Sequence, residues 1–207
     1  MNTPTLTLNN AFEVIEDVKH YNFNHCLRLI CQMGKEIYNP NFVINSFHKP
    51  VYFQLLSYAV EDHQQLEKMQ LDPKKGLLLM GASGTGKTAM MHLCKNFFTR
   101  KKHFAILNSK TMYHDFSHRG FDALMPIING KKPICLDNLG KEPMAKHFGT
   151  NCDTVYTLVE HFYENRYQAP YPLVHLITDL DPLQLEKRYG FGFRKMLQEL
   201  CNVIVCE

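Results

Sequence analysis

Apolar residues change their spacing several times along this chain, and each change marks an element. Between Ala11 and Ile37 the spacing is close to that of a helix: Phe12, Ile15 and Val18 first, then Leu27 and Ile30, with His20-Tyr21-Asn22-Phe23-Asn24 as an interruption. Asn10 is placed to cap the first of two helices, and Asn39-Pro40 to stop the second, over His25 to Ile37. Residues 1–40 therefore read as a small helical appendage. It is either a helix pair packed on the main domain or an arm that docks a partner. Phe42-Val43-Ile44 reads as a short extended piece. Pro50 suits the first turn of a helix continued by Tyr52, Leu55, Leu56, Ala59 and Val60.

From Gly76 onward short apolar runs alternate with longer amphipathic ones. The runs at Gly76 to Met80, His103 to Leu107, Pro133 to Leu136, Leu173 to Thr178 and Val203 to Cys206 have the length of buried strands. Helical patterns lie between them, at Thr88 to Phe98, Lys110 to His118, Phe121 to Ile128, Thr154 to Tyr167, Pro182 to Arg188 and Phe193 to Leu200. Strands alternating with helices predict an α/β domain over residues 41–207, with a five-stranded parallel sheet covered on both faces.

The first of these strands ends in a glycine loop, GLLLMGASGTGKT, and a helix follows it. The loop spacing G-x-x-x-x-G-K-[ST] between strand and helix is that of a phosphate-binding loop. Gly81, Ala82, Ser83, Gly84, Thr85 and Gly86 would wrap a polyphosphate with backbone N–H groups, and the helix from Lys87, Thr88 and Ala89 would aim its positive dipole end at the anion. Lys87 would reach the β- and γ-phosphates, and the Thr88 hydroxyl would ligate magnesium. A polyphosphate with Mg²⁺ is thus the expected ligand. Asp137, ending the apolar run Ile134-Cys135-Leu136, is the expected second metal-orienting group. Asn138 follows it; an amide can hydrogen-bond a water but cannot take its proton. Glu142 is the nearest carboxylate, and it either positions water or is a solvated loop charge.

Composition narrows the setting. The 207 residues are 45% hydrophobic and carry a formal charge of only +3, which fits an ordinary globular chain and does not announce a nucleic-acid binder. The basic clusters Lys74-Lys75, Arg100-Lys101-Lys102 and Lys131-Lys132 read either as loop and helix-end cations or as contacts to a DNA backbone. Tyr113, Phe116 and Phe121 are core residues or base-stacking ones. Seven cysteines with no C-x-x-C pair read as small core residues of a reduced, cytoplasmic protein. Met1 to Asn10 has no basic or long apolar stretch of the kind a signal peptide needs, and no apolar run is long enough to span a membrane.

GLLLMGASGTGKT, ICLDNLGKEP, KHFGT at Lys146 to Thr150, ENRY at Glu164 to Tyr167, HLITDL at His175 to Leu180 and LEKRYG at Leu185 to Gly190 occur in this order. From about Phe42 to Val205 the set resembles the AAA+ ATPases of the DnaC/IstB type, which are helicase loaders and transposition helpers. The resemblance implies a P-loop NTPase core with Lys87 and Thr88 in the Walker A role and Asp137 in the Walker B role. It also implies ATP as the nucleotide, a ring or spiral of subunits, and single-stranded DNA, a replicative helicase or a transposase as client. Departures accompany it. Asn138 stands where the family has a second acid, and Asp179 where it has a sensor asparagine, so an acid would sit near the γ-phosphate. Thr178 is left as the sensor candidate. Gly192 and Met196 stand at arginine positions, leaving Arg194 as the matched arginine, and no helical lid follows the fifth strand. Together these departures predict ATP binding with weak hydrolysis. An adaptor that uses ATP as an assembly switch is the alternative.

Overall fold

The computed structural model of the chain describes residues 8, 11–15, 18–130, 132–168 and 173–207. They form two compact units, Met1–Leu71 with Ala89–Thr99, and Asp72–Thr88 with Arg100–Glu207.

In the first unit, Phe12–Ile15 (β1) and Val18–Tyr21 (β2) pair as an antiparallel hairpin, with the Phe12 and Tyr21 rings 5.3 Å apart. A helix was expected here, and the correction has a local cause. Phe12, Ile15 and Val18 satisfy a helical period, yet β-branched Val14, Ile15 and Val18 favour extended backbone. The cap is Asn22, whose side chain accepts from the His25 N–H at the start of Phe23–Ile37 (α1); Asn10 lies outside the described residues. Phe42-Val43-Ile44 forms no strand. Instead the Phe42 ring lies on α1 so closely that a Cβ on Gly34 would come within 2.2 Å of it. Lys49–Ala59 (α2) has Pro50 in its first turn, as expected, and His63–Lys68 (α3) is capped by Asp62.

The second unit holds the expected parallel sheet. Its strands are Gly76–Met80 (β3), Ala105–Asn108 (β4), Ile134–Leu139 (β5), Val174–Thr178 (β8) and Cys201–Val205 (β9). They run in the order β4-β5-β8-β3-β9, with every pairing parallel. The helix Lys87–Cys94 (α4) starts in this unit directly after the glycine loop. Further helices are Ser109–Arg119 (α5), Met125–Ile128 (α6), Thr154–Glu164 (α7), Pro182–Tyr189 (α8) and Phe191–Leu200 (α9). Leu78, Leu136 and Leu176 on one sheet face pack in a single cluster with Phe116, Leu158, Phe162, Phe193 and Leu197 from these helices. Leu77, Leu79 and Cys135, of opposite parity, are buried too, so the central strands are apolar on both sides. A short antiparallel hairpin, Ala145–His147 (β6) with Thr150–Cys152 (β7), was not foreseen; three-residue strands are too short to show alternation.

His175 is the polar exception inside the sheet. Its Nδ1 accepts the Leu77 N–H at 3.1 Å, and its ring lies 4.7 Å from that of Phe104. Burial, helped by the charge of Lys102, holds its pKa down to about 3. An unfolded histidine takes its proton near 6.5, so the unfolded chain binds more protons between those values and stability falls as pH drops through that window. The melting temperature is expected to decline from pH 7 to pH 5, and His175→Gln is expected to make that slope shallower. An unchanged slope in the variant contradicts this assignment.

Candidate functional site

The site grows from the C-terminal end of β3. Met80 lies opposite Thr178 of β8 and Val205 of β9, so the chain leaves the sheet between two neighbours. The Cys206 N–H donates to the Met80 carbonyl at 2.7 Å, bringing that backbone against residue 81. A Cβ on Gly81 would sit 1.9 Å from the Cys206 carbonyl oxygen, so only glycine fits. Gly84 and Gly86 turn the loop with φ of +87° and +82°, and a Cβ on either meets no atom within 4 Å. The loop is thus a turn open to solvent, with room for a ligand at its backbone.

Lys87 and Thr88 begin α4. The Lys87 amine is folded into the loop and only 4% exposed. It donates to the Gly81 and Ala82 carbonyls at 2.7 Å each and to the Thr85 hydroxyl at 3.2 Å, and it pairs with Asp179 at 2.8 Å. Thr88 donates its hydroxyl to Asp137, 3.0 Å from Oδ2 and 3.2 Å from Oδ1. Asp137 belongs to β5, which is separated from β3 by β8, so this contact spans the sheet where the strand order reverses. Loop, lysine, threonine and aspartate are therefore together. Ala82, Ser83 and Gly84 are exposed along the loop, and Ala89 is half-buried in the first turn of α4.

Asp137 does not end its strand. A register shift between Leu136 and Leu139 makes a bulge, and Asn138 sits in it with φ +64°. Its N–H donates to Asp137 Oδ1 at 2.8 Å, and its carbonyl accepts from Ser109 at 2.9 Å. Left-handed backbone is tolerated by asparagine far better than by most side chains, which gives residue 138 a structural reason for its identity.

Glu142 is not a solvated loop charge, because its side chain is fully buried. It accepts from the Gly140 N–H at 3.0 Å and from the Tyr189 hydroxyl, and it pairs with Arg188 at 3.4 Å. Arg188 also holds Asp153, the α7 cap, at 2.8 Å. Burial pushes the Glu142 carboxyl above its ordinary pKa, partly offset by these hydrogen bonds. Thr178 donates its hydroxyl to the Leu139 carbonyl at 2.9 Å and accepts the Leu180 N–H at 3.0 Å, so both functions of the oxygen are engaged in stapling β8 to the bulge. Arg194 pairs with Glu186 at 3.1 Å, each side chain more than a third open to solvent or nearly so.

Asp179, expected near the γ-phosphate, lies beside the loop, but its pairing with Lys87 and the presence of Lys141 were not foreseen. Asp179 faces Lys87 through one oxygen and Lys141 through the other. Burial raises its pKa, but the two lysines outweigh this and bring the carboxyl down to about 2. Nothing in the linear order signals this contact, because it depends on β8 lying beside β3. One lysine in each of two basic clusters is tied into the fold, Lys102 donating to the Pro73 carbonyl at 2.8 Å and Lys75 to the Gln198 carbonyl at 2.9 Å, while Lys74, Arg100, Lys101 and Lys132 are exposed. Lys131 lies outside the described residues. Among the described residues no helix is long and apolar enough to cross a membrane.

No protein-family model matches the sequence, and no curated protein does either. Solved structures match in fold. The DnaC helicase loader superposes with a TM-score of 0.56 at 16% identity, over 79% of this chain and 92% of that one. A putative primosome component from Streptococcus pyogenes serotype M3 gives 0.55 at 15% identity, over 79% and 81%. DnaA from Aquifex aeolicus, in its AMPPCP-bound form, gives 0.50 at 14% identity, over 81% of this chain and 49% of that one. The chain therefore shares its fold, a five-stranded parallel sheet flanked by helices, with the DnaC helicase loader and the other structures named.

The bulge at residue 138 makes a prediction of its own. Asn138→Gly is expected to leave stability within about 0.5 kcal/mol, because glycine adopts the same backbone without strain. Asn138→Val is expected to cost about 1–3 kcal/mol. Urea unfolding of the two variants checks it, and equal stabilities contradict it.

Proposed function

We propose that the chain binds ATP with magnesium and uses it in DNA replication or transposition alongside a partner protein, with slow hydrolysis. The observation that carries this reading is the Thr88–Asp137 contact beside Lys87 at the mouth of an open glycine loop. Loop amides from Gly81 to Thr88 hold the phosphates, and Lys87 turns from the Gly81 and Ala82 carbonyls onto the β- and γ-phosphates. Thr88 and Asp137 would hold the metal with their hydroxyl and carboxylate oxygens. Bound magnesium would neutralise phosphate charge.

Slow turnover follows from what surrounds Asp137. Asn138 cannot accept a proton, Glu142 is committed to Tyr189 and Arg188, and Arg194 is paired with Glu186. ATP then acts chiefly as an assembly ligand, favouring a homo-oligomer, and this merges with the second reading of a non-hydrolysing adaptor. The fold's likeness to a helicase loader and to a primosome component supports a replicative helicase as partner, with a transposase as the other candidate. Seven free thiols support a reducing, cytoplasmic setting.

Single-stranded DNA is the proposed client of the β6–β7 hairpin. Phe148 at its tip is 97% exposed and held at φ +43°, a costly conformation for a bulky residue, with the His147 ring 4.5 Å from its own. An aromatic ring so presented suits stacking against a base.

Calorimetry is expected to show magnesium-dependent ATP binding that Lys87→Ala weakens at least tenfold. Phosphate release is expected on the order of 10⁻³ s⁻¹, the range of P-loop enzymes without an arginine finger. No binding, or brisk turnover, contradicts the proposal. Phe148→Ala is expected to weaken binding of a labelled oligonucleotide on the order of tenfold, since base stacking is worth about 1–3 kcal/mol, while ATP affinity stays as it was. Unchanged anisotropy titrations remove Phe148 from the DNA contact.

A further inference from the structure

Two lysines converge on one carboxylate at the rim of the phosphate loop. Lys87 contacts Asp179 Oδ1 at 2.8 Å, and Lys141 contacts Oδ2. Lys87 is almost wholly buried there, whereas Lys141 reaches in from a side chain 37% exposed. Lys141 comes from the segment that leaves the Asp137 bulge, and Asp179 comes from the end of the strand next to β3. The carboxylate therefore lies between the lysine that a triphosphate must recruit and a second ammonium from the Asp137 side.

We propose that the Asp179 carboxylate marks the place of the terminal phosphate of a nucleoside triphosphate, and that Lys141 is a second cationic ligand of that phosphate. The inference rests on the nucleotide-binding reading above and adds a ligand and a source of discrimination to it. A carboxylate bridging two ammonium groups through its two oxygens makes the same charge-assisted bonds that a phosphate makes through two of its own. The carbonyls of Gly81 and Ala82 bring no net charge to Lys87, so Asp179 supplies the formal negative charge of this cradle.

Asp179 and an incoming terminal phosphate cannot share the cradle without like-charge repulsion. The phosphate displaces the carboxylate because it carries more negative charge and more acceptor oxygens. Lys141 has a flexible stem and a compact charge, so it can follow the anion that replaces Asp179. A nucleoside diphosphate ends one phosphate short and leaves the Asp179–Lys141 pair in place. Lys141 thus acts on ATP and not on ADP, whereas Asp179, which also holds Lys87, acts more strongly on ATP than on ADP: Asp179 holds ATP affinity down, and Lys141 holds it up.

Affinities for ATP and ADP, each with magnesium, distinguish this from a merely structural ion pair. Asp179→Asn keeps the shape and removes the charge; it is expected to raise ATP affinity on the order of tenfold and ADP affinity by less, because ADP recruits Lys87 but not Lys141. Lys141→Met is expected to lower ATP affinity on the order of tenfold with ADP affinity little changed. Because Lys141 is partly exposed, that variant carries the test even where Asp179→Asn lowers the melting temperature. An ATP-to-ADP affinity ratio unaffected by Lys141→Met, or equal shifts on both nucleotides, overturns the proposal. If wild type binds ATP and Lys87→Ala abolishes it, those same outcomes overturn this inference alone. Absence of ATP binding by wild type overturns both it and the reading beneath it.

Discussion

One contact ties the site to the sheet: the Thr88 hydroxyl on the Asp137 carboxylate. Thr88 starts a helix whose position is set by β3 and the loop, whereas Asp137 sits in β5 on the far side of β8. The two meet only if β3, β8 and β5 are adjacent, parallel and in register, which their apolar residues on both faces enforce. Hydroxyl and carboxylate are the oxygen donors that magnesium accepts. The same geometry places the Lys87 amine within the loop instead of out in solvent. The proposed binding capacity is therefore a consequence of sheet order, with the glycines of the loop supplying close approach.

The surroundings of Asp137 serve structure more than hydrolysis. The bulge at Asn138 favours a side chain that tolerates left-handed backbone, and an amide there has no proton-accepting function. Glu142 is drawn into a buried network with Tyr189 and Arg188, which joins the segment after β5 to α8 and, through Asp153, to the start of α7. Buried charges of this kind are stabilising only when all partners stay in place, so a water-activating role for Glu142 would have to dismantle its own support. ENRY and LEKRYG have the same character: Arg166 pairs with Glu199 and lies over Tyr163 and Tyr167, and Arg188 and Tyr189 hold Glu142. Stretches that carry the resemblance to the DnaC/IstB group thus act here largely as ties between elements.

What could be read from the sequence follows the range of the interaction that fixes it. Gly76–Met80, the glycine loop and the start of the helix after it are local patterns legible almost to the residue, whereas that helix was expected to reach Phe98 and ends at Cys94. Parallel pairing of five strands followed from the alternation of strand and helix. The hairpin at β1–β2 was misread because its apolar spacing also fits a helix, and β6–β7 because its strands are too short to alternate. Asp179 was expected near the γ-phosphate; that it neutralises Lys87 depends on β8 neighbouring β3, an order no local pattern encodes. The burial of Glu142 likewise depends on a partner 47 residues away.

Hydrogen exchange of the loop amides measures the central claim most directly, because those N–H groups are the proposed phosphate ligands. Adding ATP with magnesium is expected to slow exchange across Gly81 to Ala89 and at Asp137, and to do so less in Thr88→Ala. Unchanged exchange in the loop at saturating nucleotide, or protection confined to residues far from it, would contradict the account.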